Sequence, residues 1–156
     1  MKYTFNTLEE VKTAIEQWFI TLGYDNKERA EKQYLKCIAE VGEMADALCK
    51  EDLENFKSEA GDVFVTIVGY CLQIEWNLKI NHTNYCNQST NRSIDYILGN
   101  LIEQDYDYVI DYLFDICISQ RTTLLECATI AYNKIQGRLE RGELSVKNGT
   151  VIKSGL

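Results

Sequence analysis

An all-α domain is the fold class this sequence predicts, and three observations predict it. No proline occurs among the 156 residues, so no helix interior is forced to kink or stop. Leu, Ala, Glu, Lys and Ile dominate many segments, and most of these are good helix formers. Apolar residues recur at spacings of three and four, the period of a helix with one buried face. With 46% hydrophobic residues the chain can bury a core, and its length suits one domain spanning 1–156, with nothing marking a second. The expected architecture is a bundle of about five helices followed by a short hairpin-like tail.

Each element has its own signal. Thr7-Leu-Glu-Glu10 and Asp25-Asn-Lys-Glu28 read as capping boxes, which puts helix starts near residues 8 and 26. The second helix carries Tyr34, Ile38, Val41, Ala45 and Leu48 as its core-facing stripe. A break at KEDLEN precedes a third helix over residues 53–79, whose middle, VFVTIVGYCL, is apolar nearly all round and therefore central. Residues 81–93, NHTNYCNQSTNRS, read as loop, with Ser93 as the cap of a fourth helix that breaks near EQDYD and resumes to about 119. Thr123-Leu-Leu-Glu126 is a further capping box, opening a last helix to about 140 with Leu125, Ala128, Tyr132, Ile135 and Leu139 inward. Beyond it, LSVKNGTVIK alternates around Asn148-Gly149, a hairpin turn dipeptide.

Charge and composition exclude several function classes. A formal charge of -8 argues against nonspecific nucleic-acid binding, which needs a basic face. The opening MKYTFNTLEE lacks the apolar run of a signal peptide, and no stretch approaches the roughly 18 apolar residues of a membrane helix, so a cytoplasmic protein without membrane contact is expected. Cys37, Cys49, Cys71, Cys86, Cys117 and Cys127 show no CxxC or CxxH spacing and read as reduced core residues. The N-x-S/T matches at Asn81, Asn87, Asn91 and Asn148 read as Asn-rich loops.

The chemistry sits in two acidic pairs. AEVGEMADAL (39–48) places Gly42 between Glu40 and Glu43 inside a helix, where glycine costs about 1 kcal/mol relative to alanine. SEAGDVFVTIV (58–68) repeats the arrangement with Glu59, Gly61 and Asp62. A spacing of three puts each pair on one helical face. Either pair alone fits a solvated face, but the second runs directly into the most apolar helix. Carboxylates there are costly unless protonated, paired with cations or bound to metal. Lys36, one turn before Glu40, can pair with it, yet one lysine does not balance four acids, whereas a divalent cation would. Oxygen donors without thiolate or imidazole suit Mg²⁺ or Mn²⁺ better than zinc. Glycines at 42 and 61 would let the two helices approach and join their acids. Two readings stay open at this point: a metal site, or a non-catalytic acidic helical oligomer that binds a protein partner. A ferritin-like di-iron site would need two Glu-x-x-His motifs, and the single histidine, His82, lies in the expected loop.

Glu40-Val-Gly-Glu43 followed by Glu59-Ala-Gly-Asp62 resembles the paired ExxE and ExxD signature of the MazG-like all-α nucleoside triphosphate pyrophosphohydrolases, relatives of the dimeric dUTPases. QYLKCIAEVGEMADALCKEDLENFKSEAGDVFVTIVG follows the family pattern, and AYNKIQGRLERGELSVKNGTVIK resembles the end of its short members; residues 74–122 carry no motif. The resemblance implies hydrolysis of a (deoxy)nucleoside triphosphate to the monophosphate and pyrophosphate. It implies Mg²⁺, or Mn²⁺, held by Glu40, Glu43, Glu59 and Asp62, with water attacking the α-phosphorus and Glu40 or Glu43 taking its proton. Lys36, Asn133, Lys134 and Arg138 match positions suited to holding phosphate, and a homodimer or homotetramer is implied as well. The family often has another glutamate directly before the first ExxE, where this chain has Ala39, which points to fewer ions or a slower reaction. Trp18 and Trp76 offer faces for a nucleobase, but aromatics at helical spacing are more often core, and neither is assigned.

Overall fold

The computed structural model describes residues 2–80, 89–147 and 150–153. Among them are six α-helices: α1 (Leu8–Thr21), α2 (Ala30–Cys49), α3 (Leu53–Gln73), α4 (Thr90–Glu103), α5 (Tyr106–Ser119) and α6 (Leu124–Glu140). A 3-10 turn, Lys27–Arg29, leads into α2, and strands β1 (Leu144–Lys147) and β2 (Thr150–Lys153) pair antiparallel, Leu144 opposite Lys153 and Lys147 opposite Thr150. The Asn148-Gly149 dipeptide, His82, Cys86, Asn81 and Asn87 lie outside the described residues.

Capping chemistry sets three of the helix starts. Thr7 accepts from the Glu10 amide, Asp52 from the Asn55 amide and Thr123 from the Glu126 amide, each satisfying a donor that the first turn leaves without a partner. The box expected at Asp25 does not form; Asn26 caps without a side-chain bond, and α2 begins after the 3-10 turn. Ser93 does not cap α4 either: the N-cap is Ser89, and Ser93 is buried one turn inside. The third helix stops at Gln73 rather than 79 because Glu75 turns left-handed (φ 60°) and the Trp76 amide returns to the Cys71 carbonyl. Glu51, Gln104 and Arg121 take the same left-handed conformation after α2, α4 and α5.

Helix α3 is the hub. Almost every residue from Ala60 to Gly69 is buried, because α1, α2, α5 and α6 pack around it while α4 packs on α5. Its apolar circumference is covered within one chain, which removes that reason for expecting a partner subunit. The buried lines of its neighbours are rotated slightly from the expected stripes. In α2 they run through Cys37, Glu40, Val41, Met44 and Ala47, and in α6 through Leu124, Cys127, Ala128, Thr129 and Ala131. Small side chains occupy the line of closest approach in α6, and the larger Leu125, Tyr132 and Ile135 flank it half-buried. Four cysteines, Cys37, Cys71, Cys117 and Cys127, are buried and free, while Cys49 is exposed.

Candidate metal centre

Helix α2 presents Lys36, Glu40 and Glu43 in successive turns of one face, and α3 presents Glu59 and Asp62 toward them. Carboxylate oxygens of Glu40, Glu43 and Glu59 lie within 4.8 Å of one another. Glu40 is 5% exposed and ion-paired with Lys36 through one oxygen. Its other oxygen, Oε2, and Oε2 of Glu59 are buried without a hydrogen-bond partner. Two buried carboxylate oxygens with nothing to accept from are costly in a finished site. They fit a divalent cation, for which oxygen donors from three side chains already converge.

The electrostatics agree. Burial pushes the Glu40 carboxyl above its ordinary value, and Lys36 only partly offsets this. Burial also raises Glu59, with the neighbouring charge of Asp62 adding to it. Lys36 in turn is raised by its hydrogen bond to Glu40. Asp62 stands slightly aside, bonded to Lys134 of α6, whose ammonium also donates to Ser58 Oγ at 3.4 Å.

The acids line a cleft of about 400 Å³, together with Lys134 and Arg138 from α6 and the aromatic residues Trp18, Phe19 and Tyr24 from α1 and the turn after it. Gln33 also lines it, its amide donating to the Thr66 carbonyl at 3.1 Å. A larger cleft of about 490 Å³ lies between the α2–α3 turn and the start of α4, with Glu51 and Asp52 on its wall. Among the described residues no carboxylate cluster gathers there, so the chemistry favours the smaller cleft.

The glycines act differently from the expectation. A Cβ on Gly61 would sit 2.1 Å from the Cys127 carbonyl oxygen and 2.8 Å from Ala131 Cβ. Gly61 therefore lets α3 meet α6, not α2, and that contact brings Lys134 beside Asp62. A Cβ on Gly42 would meet nothing within 4 Å, and nothing in the fold explains that glycine.

Of the residues expected to hold phosphate, Lys36, Lys134 and Arg138 line the cleft. Asn133 is not on its wall. Its Oδ1 accepts from the amides of Lys2 and Tyr3, and its Nδ2 donates to the carbonyls of Tyr3 and Thr129, tying the N-terminal segment to α6. Phe19, Tyr24 and Gln33 belong to no motif in the sequence, and Trp18 reads there as core or as a stacking face; the signal the sequence offers is a cluster of aromatics in α1 and its following turn.

Residues 29–95 match the family model of the MazG nucleotide pyrophosphohydrolase domain. That segment holds α2 and α3 whole, with all four acids, and leaves α6 with Lys134 and Arg138 outside it. No curated protein and no solved structure matches the chain.

Proposed function

We propose that this MazG-like chain is a Mg²⁺-dependent pyrophosphohydrolase that splits a (deoxy)nucleoside triphosphate into the monophosphate and pyrophosphate. The observation that carries the proposal is the convergence of Glu40, Glu43 and Glu59, two of them with an orphaned buried oxygen, in a cleft that also holds two lysines and an arginine. Mn²⁺ fits the same oxygen donors. Glu40, Glu43, Glu59 and Asp62 would hold the ion, which when bound neutralises phosphate oxygens and acidifies water.

The protein's own groups do the positioning. Lys36, Lys134 and Arg138 supply the positive charge that an α,β,γ-phosphate chain needs, which is where most of the catalytic demand of phosphoryl transfer lies. Glu40 or Glu43 accepts the proton of the attacking water. The raised affinity of Glu40 for a proton, caused by burial, suits it to that part. Trp18 and Tyr24 give the cleft aromatic surface on which a base can stack. Ala39 stands where the resemblance leads one to expect a further glutamate, and a reduced ion complement is part of this reading. The reading includes a homodimer or homotetramer, which light scattering would reveal; Leu35, Ile102 and Tyr108 are large apolar side chains left exposed for such contacts.

The acidic, partner-binding alternative has no comparable support, since residues 29–95 match a model of a nucleotide pyrophosphohydrolase domain. A panel of canonical, deoxy and modified triphosphates, assayed for pyrophosphate release with Mg²⁺ and with chelator, tests the proposal. Metal-dependent pyrophosphate from at least one nucleotide is expected; no turnover of any would return the case to the acidic bundle.

A further inference from the structure

Among the four acids, Asp62 is the one bonded directly to a lysine of a different helix. Glu40, Glu43 and Glu59 come within 4.8 Å of one another, while Asp62 is held by Lys134 of α6, which also reaches Ser58. Lys36 is paired with Glu40. Four carboxylates thus face two ammonium groups, each paired with one acid, and the Arg138 guanidinium, which leaves the cleft net negative and open to a cation.

Resting on the reading of this cleft as a metal-dependent nucleotide site, we propose that Lys134 is an exchange cation: it holds Asp62 until a triphosphate draws its ammonium away, and Asp62 then completes the divalent-ion site begun by Glu40, Glu43 and Glu59. The side chains suit the exchange. A lysine ammonium is a point charge on a flexible stem, and Lys134 is 34% exposed, free to swing toward phosphate, whereas Asp62, 14% exposed on the rigid hub helix, stays beside the cluster. Losing its cation would leave Asp62 as an uncompensated, largely buried charge, so Lys134 departs only when a divalent ion is there to replace it. Nucleotide and metal therefore each tighten the other by the same factor. Lys36 does not share this role, because its partner Glu40 lies one turn along the same helix and is almost fully buried.

The test is a Mn²⁺ titration of the full chain followed by electron paramagnetic resonance, without nucleotide, on wild type, Lys134→Met, Asp62→Asn and the double variant. Lys134→Met frees Asp62 and is expected to tighten Mn²⁺ at least about fivefold. In the Asp62→Asn background the same change is expected to alter Mn²⁺ affinity by less than about twofold, because the carboxylate it would free is gone. Equal tightening in both backgrounds would show that Lys134 acts only through its field, and no tightening in either would reduce it to a strut between α3 and α6; each result overturns the proposal. Lys134→Gln replaces Lys134→Met should the latter not fold. Wild type that binds no Mn²⁺ would overturn the metal reading itself, a result distinct from the other two.

Discussion

Gly61→Ala probes the contact that builds the site. The added Cβ would lie 2.1 Å from the Cys127 carbonyl oxygen, 1.3 Å short of the 3.4 Å at which ordinary contact begins, and 2.8 Å from Ala131 Cβ. Both neighbours belong to α6, and the nearer is backbone that no rotamer change can move, so α6 must shift by on the order of 1 Å. Overpacking of this kind costs about 3 kcal/mol at its upper range. Alanine returns about 1 kcal/mol over glycine in a helix. The net loss of roughly 2 kcal/mol corresponds to a melting temperature lower by about 4–8 °C for a domain of this size. Because α6 also carries Lys134 and Arg138, a shift of about 1 Å is expected to lower kcat/KM by about 10²-fold. Gly42→Ala is the internal control: with nothing within 4 Å of the added Cβ, it should raise the melting temperature by about 2–4 °C. Calorimetry and steady-state kinetics read both variants. A Gly61→Ala protein that melts and turns over like wild type would refute the α3–α6 contact, and a loss at Gly42 would show that the exposed face of α2 is packed in solution.

Three further outcomes follow from the charges. At 100 times its Kd, Mg²⁺ should stabilise the fold by about 2.7 kcal/mol, raising the melting temperature by about 5–11 °C over a chelator-treated sample. That increment should also grow with pH. Glu40 and Glu59 have raised proton affinity in the folded chain, so the stability they contribute without metal is full below about pH 4.5 and is lost as pH climbs through their folded values. A bound ion competes with those protons and reverses the trend; an increment that stays flat between about pH 5 and pH 7.5 would contradict this. Glu59→Gln should raise the melting temperature of the metal-free protein by removing a partly buried charge, yet abolish the Mg²⁺ increment and cut turnover at least about tenfold; calorimetry that shows an intact increment would take Glu59 out of the site. Truncation after Arg141 removes β1 and β2 and should leave helicity by circular dichroism unchanged while raising KM for the triphosphate, more so at low salt; unchanged kinetics at low ionic strength would show that the hairpin does not reach the substrate.

Much of the fold could be read from local chemistry. Thr7, Thr123 and the KEDLEN break mark helix boundaries because their oxygens have amide donors within the same turn. The overextended third helix has a different cause: its stop is Glu75 in the left-handed region, and a glutamate gives no hint of a turn that glycine would have announced. The core stripe of α6 is displaced because hydrophobicity picks out the large residues, while closest approach selects Ala128, which the stripe includes, together with Cys127 and Ala131, which periodicity weighs less. The two acid pairs stand out in the sequence because the ExxE and ExxD spacing lies within single helices, and the fold lines one cleft with all four. Lys134 on Asp62 joins residues 72 positions apart, and the clamp of Asn133 on Tyr3 joins residues 130 apart, so neither could be found before α6 was placed. The partner of Gly61 was misread for the same reason.

In the proposed reaction the acidic cleft directs water to the α-phosphorus of a nucleoside triphosphate. Turnover in ¹⁸O-labelled water with Mg²⁺, followed by mass spectrometry of the products, tests it most directly. One ¹⁸O is expected in the nucleoside monophosphate and none in the pyrophosphate, with both products reduced at least about tenfold in Glu59→Gln. Label in the pyrophosphate, or orthophosphate as the released product, would contradict it.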